Sequence, residues 1–247
     1  MRPLVTIRAR LRHLAIVSWA VNPEVLGKML PRPLVPQTIA DDAGERYALL
    51  SMAMMLDTTV GETYPQLNER AYVMKPDETG KGAFFWRSHA ATWQAVLFRS
   101  MLGIPEYVAD LRLEASEERY AFFFGGQCVA RLDLASPPTT HAKNSSFDPV
   151  SLTRAKELSE NPLIGYTLNW GQLCETPVTH DTIDAKKVRI EKADPAFMLP
   201  SIAIDDARSE PIIAVYQRET PFYIGLPPRK VRGWNSSQSE PSDAFAP

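Results

Sequence analysis

Glu69, Arg87, His89, Arg99 and Tyr107 fall in one central stretch of the chain and carry the side chains best suited to moving a proton or holding an anion. A glutamate held away from water favours its neutral form and can serve as general acid or base. An arginine inside a cavity grips a carboxylate or an enolate oxygen with two parallel N–H donors. A tyrosine phenol donates a hydrogen bond to a carbonyl or enolate oxygen but forms no imine. Together these types suit acid/base chemistry on a carbonyl compound, with Glu69 moving the proton and Arg99 and Tyr107 steadying the oxygen that gains charge. Trp86, Arg87 and His89, with Trp19 from the first strand, are the expected substrate contacts. Each has a structural reading beside the chemical one: Glu69 pairing with Arg70, Arg87 or Arg99, His89 as a hydrogen-bonded core residue, and Tyr107 as a core aromatic.

The elements that must position these groups are mostly strands. Residues 69–75 alternate so that Glu69 shares a face with Ala71 and Val73, which aims its carboxylate at an apolar interior. Residues 83–89 form the next strand, with Arg87 and His89 on one face and Trp86 on the other. Residues 91–102 break the rhythm, since Trp93, Val96, Leu97 and Met101 fall on one helical stripe that Gly103 ends. Residues 107–114 alternate again, with Tyr107, Ala109, Leu111 and Leu113 inward and Val108, Asp110, Arg112 and Glu114 outward, so Glu106 points away. Strands 119–124 and 127–135 flank Gly125-Gly126, a hairpin signal because both positions accept positive φ. Further strands are expected at 11–19, 47–56, 163–170, 177–182, 187–192 and 212–217. Asn22 caps a short helix over 23–30, and a surface helix is expected over 151–160.

Composition narrows the classes. The 247 residues are 45% hydrophobic and 23% charged with no shift in mid-chain, which predicts one domain over 1–232 and a disordered tail over 233–247. A net charge of -2 offers no footprint for nucleic acid, and no apolar run approaches the roughly 20 residues of a membrane span. Arg2, Arg8, Arg10 and Arg12 precede the apolar run Leu14 to Val21 with no acid before Glu24, as in a transit peptide, but the run alternates like a strand and leads directly into Asn22-Pro23-Glu24, which predicts a cytoplasmic protein. Cys128 and Cys174 suit a reduced compartment and are expected to be inert. His13, His141 and His180 are scattered without metal-ligand spacing, and no phosphate-cradling glycine motif occurs, so neither metal nor cofactor is expected.

Three segments carry a likeness: Trp19 through Asn22-Pro23-Glu24 to Leu34, Leu67-Asn68-Glu69-Arg70-Ala71-Tyr72-Val73 with Gly82-Ala83-Phe84-Phe85-Trp86, and Arg99 through Gly103-Ile104-Pro105 to Leu113. In order and spacing they resemble the acetoacetate decarboxylase superfamily over residues 5–220, closest to its uncharacterised DUF2071 (YqjF-like) branch. The resemblance implies an α+β fold, mainly antiparallel, with a barrel-like cone of strands around a cavity and a few peripheral helices. It also places Glu69 on the active-site glutamate of the family's Tyr-x-Glu motif and Arg99 on the arginine of its Gly-Arg-Glu segment, where the neighbours here are Phe98 and Ser100. Two departures stand out: Glu106 and Tyr107 replace two lysines, one of which forms a Schiff base, and Ala20 replaces an arginine thought to hold the substrate carboxylate. The expectation is therefore a cofactor-independent enzyme of the lyase, isomerase or cyclase type. It would isomerise, cyclise, dehydrate or cleave a small or medium polyketide-like metabolite in secondary metabolism, with homo-oligomerisation left open. The alternatives are a non-catalytic small-molecule binder and a decarboxylase using a displaced lysine, Lys75 or Lys143. A polar-tipped cavity favours the enzyme, a uniformly apolar one the binder, and an interior lysine the third reading.

Overall fold

The computed structural model describes residues 4–59, 61–101, 106–138, 147–169, 171–181, 183–198 and 210–231. In chain order the elements are β1 (Val5–Val21), α1 (Pro23–Met29), β2 (Val35–Pro36), β3 (Thr38–Ala40), β4 (Arg46–Thr59), β5 (Glu62–Met74), β6 (Gly82–Ala90) and α2 (Trp93–Met101). There follow β7 (Tyr107–Val108), β8 (Leu111–Ala115), β9 (Arg119–Phe124), β10 (Gln127–Asp133), α3 (Pro149–Glu160), β11 (Ile164–Asn169), β12 (Gln172–His180), β13 (Lys186–Lys187), β14 (Arg189–Ala193), β15 (Ile213–Leu226) and β16 (Arg229–Lys230). The fold is α+β and mainly antiparallel.

Strands run in the order β15-β1-β4-β5-β6-β11-β12, and β12 pairs back onto β15 through Val178↔Ile224, Thr179↔Tyr223 and His180↔Phe222. That last pairing closes the strands into a ring. One step of the ring is parallel, β6 to β11, and Gly82 makes it feasible: a Cβ there would lie 2.2 Å from the Ile164 carbonyl oxygen. Inside the ring, Leu11, Leu14, Ile16 and Met55 meet the partly buried Phe85 and Phe222. Helix α3, capped by the Asp148 carboxylate on the Ser151 amide at 2.6 Å, also packs into that core through Ala155. As expected it is a surface helix, with Val150, Thr153, Arg154 and Glu157 exposed, and its other face buries Ala155, Ser159 and Glu160.

A second sheet, β14-β10-β9-β8, covers the outer face of the ring. Its Tyr120, Phe122, Ala130 and Leu132 pack against Trp19, Met52 and Leu67. The β9–β10 turn forms as the Gly-Gly pair predicts, with φ of 56° and 76° at Gly125 and Gly126. Strand β1 is longer than the expected 11–19 at both ends: Ala9 and Leu11 are buried while Arg8, Arg10 and Arg12 face solvent, but Leu14 to Val21 is buried throughout and does not alternate. No described helix is long and apolar enough to cross a membrane.

Three expectations need correcting. Strands β5 and β15 are far longer than 69–75 and 212–217. The expected strand 107–114 is broken: Tyr107–Val108 adds to β6 in the ring, and Leu111–Ala115 pairs with β9 in the cover sheet. The chain changes sheets at Ala109-Asp110, so the alternation loses phase there. Leu111, Asp110, Arg112 and Glu114 lie as predicted, but Tyr107 is 53% exposed and Glu106 is buried at 6%. On α2 the buried face carries Ala95 and Arg99, while Trp93 and Leu97 of the apolar stripe are exposed. The expectations for Gly103 and for the tail 233–247 lie outside the described residues.

Candidate functional site

The ring encloses a cavity of about 110 Å³, with an apolar wall from β1, Met55 and Phe85 and a polar wall from β4, β5, β6 and α2. Period two on β5 sends Gln66, Asn68 and Arg70 into this cavity, and Asp57, Ser88 and Arg99 complete the polar wall. No described lysine lines it; Lys75 is ion-paired with Glu175 at 2.9 Å, and Lys143 lies outside the described residues.

Arg99 is the centre of the polar wall. Its guanidinium is ion-paired with Asp57 through Nη2, and its Nη1 lies 3.6 Å from Glu106 Oε1. Gln66 Nε2 and the Ser88 hydroxyl reach the same Glu106 oxygen at 2.7 and 3.0 Å. One buried cation thus faces two buried carboxylates. Burial works against the Arg99 charge, but Asp57 and Glu106 outweigh it and hold its pKa above the ordinary value. For Glu106 burial prevails over the pull of Arg99, so its carboxyl is pushed up. Glu106 Oε2 and Arg99 Nε find no hydrogen-bond partner among the described residues. Ser88 has one proton and two acceptors in reach, Asn68 Oδ1 at 2.6 Å and Glu106 Oε1 at 3.0 Å. As a carboxylate Glu106 accepts the Ser88 proton, and once protonated it donates to Ser88 while Ser88 donates to Asn68, so the three groups form a path along which a proton passes. The neighbouring Tyr64 phenol, also buried, is pushed up to about 12.

The expected site residues separate into two groups. Arg99 lines the cavity, but it pairs with Asp57 and Glu106 and not with Glu69. Glu69 points into an apolar interior as expected, and that interior is the layer between ring and cover sheet, among Met52, Leu67 and Ala71. There it meets His89 Nε2 at 3.1 Å, and Arg87 sits opposite it on β6. The His89 ring packs edge-on to Phe124 at 5.2 Å and lies 6.0 Å from the exposed Tyr107 ring. Trp19 is fully buried in the same layer. A bulge leaves Trp86 without a register partner, since Glu69 pairs with Arg87 and Arg70 with Phe85. Trp86 consequently packs against that layer as well as edge-on against Phe84, 5.1 Å between centroids.

The residues not anticipated are Asp57, Gln66, Asn68, Arg70, Ser88, Glu106 and Thr167. The run Gln66, Asn68, Arg70 at every second position was the available signal: a polar face on a strand whose other face is apolar. Among the described residues no cluster of three His, Cys, Asp or Glu is placed to hold a metal.

Solved structures with the same fold include an acetoacetate decarboxylase from Legionella pneumophila, 14% identical with a TM-score of 0.55, covering 90% of this chain and 86% of that one. An acetoacetate decarboxylase-like enzyme from Sphingomonas wittichii RW1 aligns at 13% identity and a TM-score of 0.57 over 91% of this chain and 92% of that one. The enduracididine biosynthesis enzyme MppR, complexed with pyruvate, aligns at 9% identity and a TM-score of 0.53 over 95% and 93%. At these identities the likeness is one of fold. No curated protein matches the chain. Residues 8–220, which run from Arg8 of β1 to Thr220 of β15 and include the polar wall, match the DUF2071 model of an uncharacterized conserved protein, and the chain belongs to that family.

Proposed function

We propose that the protein is an enzyme that uses no Schiff base and performs acid/base chemistry on a carbonyl compound held in the ring cavity. The observation that carries this reading is the single guanidinium of Arg99 set between Asp57 and Glu106 at the cavity wall. A receptor with an apolar site gains nothing by burying an excess carboxylate, which costs stability unless it is used. A general base works best with a pKa near the working pH, and burial moves Glu106 in that direction. Ser88 lines the cavity and touches Glu106, so it is the path between them. In the step we assign, the Ser88 hydroxyl takes a proton from the carbon next to the carbonyl as it passes its own to Glu106. Arg99 then steadies the enolate oxygen through Nη1, which its 3.6 Å contact holds only loosely. Return of the proton to another carbon gives isomerisation, and loss of a hydroxyl from the next carbon, protonated by Glu106 through Ser88, gives dehydration.

The test is exchange of carbon-bound hydrogen for deuterium in pentane-2,4-dione and a panel of small ketones, followed by NMR in D2O. Wild type is expected to exceed the buffer rate, with a rate that rises with pH through a midpoint above the ordinary glutamate value of 4.5. Exchange no faster than buffer across the panel rejects the reading.

A further inference from the structure

We infer that the end of the cavity nearest α3 is a carboxylate-binding subsite built from Arg70 and Thr167, so that the compound bound there is an oxo acid. This rests on the cavity being the substrate site. Arg70 lines the cavity and is only 8% exposed. Its Nη2 donates to the Ser159 carbonyl at 2.8 Å, at the C-terminal end of α3, and its guanidinium lies 5.4 Å from the Tyr72 ring centre. Its Nε has no partner, and among the described residues no carboxylate is ion-paired with it. Glu160, the acid on the same wall, commits one oxygen to Lys156 and the other to the Ala185 amide, each at 3.1 Å. A buried guanidinium without an anion is strongly unfavourable, and an anion brought by a ligand removes that penalty.

Thr167 supplies the second observation. It is 7% exposed, lines the cavity, and its hydroxyl is also without a partner. Register places it in the same rank as Arg70: Arg70 pairs with Phe85, and Tyr166 pairs with Phe84, which sets Thr167 beside Phe85. Two strand spacings separate their Cα atoms, roughly 10 Å, which an arginine side chain and a bound carboxylate span together. One guanidinium balances one carboxylate, whereas a phosphate dianion would leave a buried excess charge.

Position sets the length of the ligand. Along β5, Arg70 lies four residues from Gln66, which contacts Glu106, so the two ends of the polar wall are roughly 13 Å apart at Cα. Carboxylate and reacting carbonyl must then be separated by several carbons, which excludes a short 3-oxo acid from using both ends at once.

The probes are 6-oxoheptanoate and its neutral counterpart 6-oxoheptanamide, titrated calorimetrically into wild type, Arg70→Met and Thr167→Val. Wild type is expected to bind the acid at least about 10-fold more tightly than the amide. Arg70→Met should weaken binding of the acid far more than that of the amide and so abolish that preference. If Arg70→Met does not fold, Thr167→Val carries the test, with the acid-over-amide ratio falling at least about 3-fold. Equal binding of acid and amide by wild type, binding of neither, or a ratio unchanged in the variants overturns the inference and leaves Arg70 as a cap on α3. A protein that exchanges pentane-2,4-dione without preferring the acid keeps the proposed chemistry and loses the subsite; the reverse pattern keeps the subsite and loses the chemistry.

Discussion

The two faces of β5 bury charge in different ways. On the outer face Glu69 bonds His89 inside a filled layer between two sheets, among Met52, Leu67 and Ala71. On the inner face Gln66, Asn68 and Arg70 look into open space beside an Arg99 cluster with more carboxylates than cations. Unpartnered polar atoms occur on both sides, Trp86 Nε1 and Tyr120 OH in the packed layer and Arg70 Nε, Arg99 Nε, Glu106 Oε2 and Thr167 Oγ1 on the inner side, but only the inner set includes charged side chains. A charge embedded in packed side chains can hold layers together, but only a charge that borders a cavity can act on a ligand. Of the two residues that match the family, Glu69 is packed between the sheets and Arg99 borders the cavity.

Removing the inner cation should produce the largest effect. Arg99→Met leaves Asp57 and Glu106 buried without a counter-charge and is expected to cost about 3–5 kcal/mol in denaturant unfolding. Glu69→Gln keeps an oxygen that can accept from His89 and should cost nearer 1 kcal/mol; the opposite ranking would break the comparison. The inner cluster should also give stability a pH dependence of definite sign. The folded pKa of Glu106 lies above its unfolded value. Its contribution is therefore complete below the unfolded value and is lost as pH rises through the folded one. Wild type should lose melting temperature relative to Glu106→Gln over that interval, and parallel curves would show that Glu106 does not carry the excess charge. Tyr107→Phe should have the smallest effect, within about 0.5 kcal/mol, because the ring is exposed.

Much of the frame was legible because it rests on local rules. The Asn22 cap accepts from Glu24 and Val25 as the sequence implies, and the Gly125-Gly126 turn joins strands that follow their apolar rhythm. The site was less legible, for a physical reason. Strand assignment treats one face as polar and solvated, yet both faces of β5 are buried, and the polar one lines a cavity. Residues 62–68 therefore lack the strand pattern, and nothing local marks Gln66 and Asn68 as cavity residues. The alternation of 107–114 aims Glu106 outward only if one strand spans those residues, and the chain leaves one sheet for the other at Ala109-Asp110. Such a crossing leaves no mark in a period-two pattern.

The central claim, that chemistry belongs to the inner face, is tested most directly by deuterium exchange into pentane-2,4-dione with Glu106→Gln and Glu69→Gln side by side, each checked for folding by its thermal transition. Glu106→Gln is expected to lose roughly 100-fold or more of the catalysed rate, and Glu69→Gln to retain most of it. A folded Glu69→Gln protein that has lost exchange, beside a Glu106→Gln protein that has kept it, would contradict the claim and move the site to the layer between the sheets.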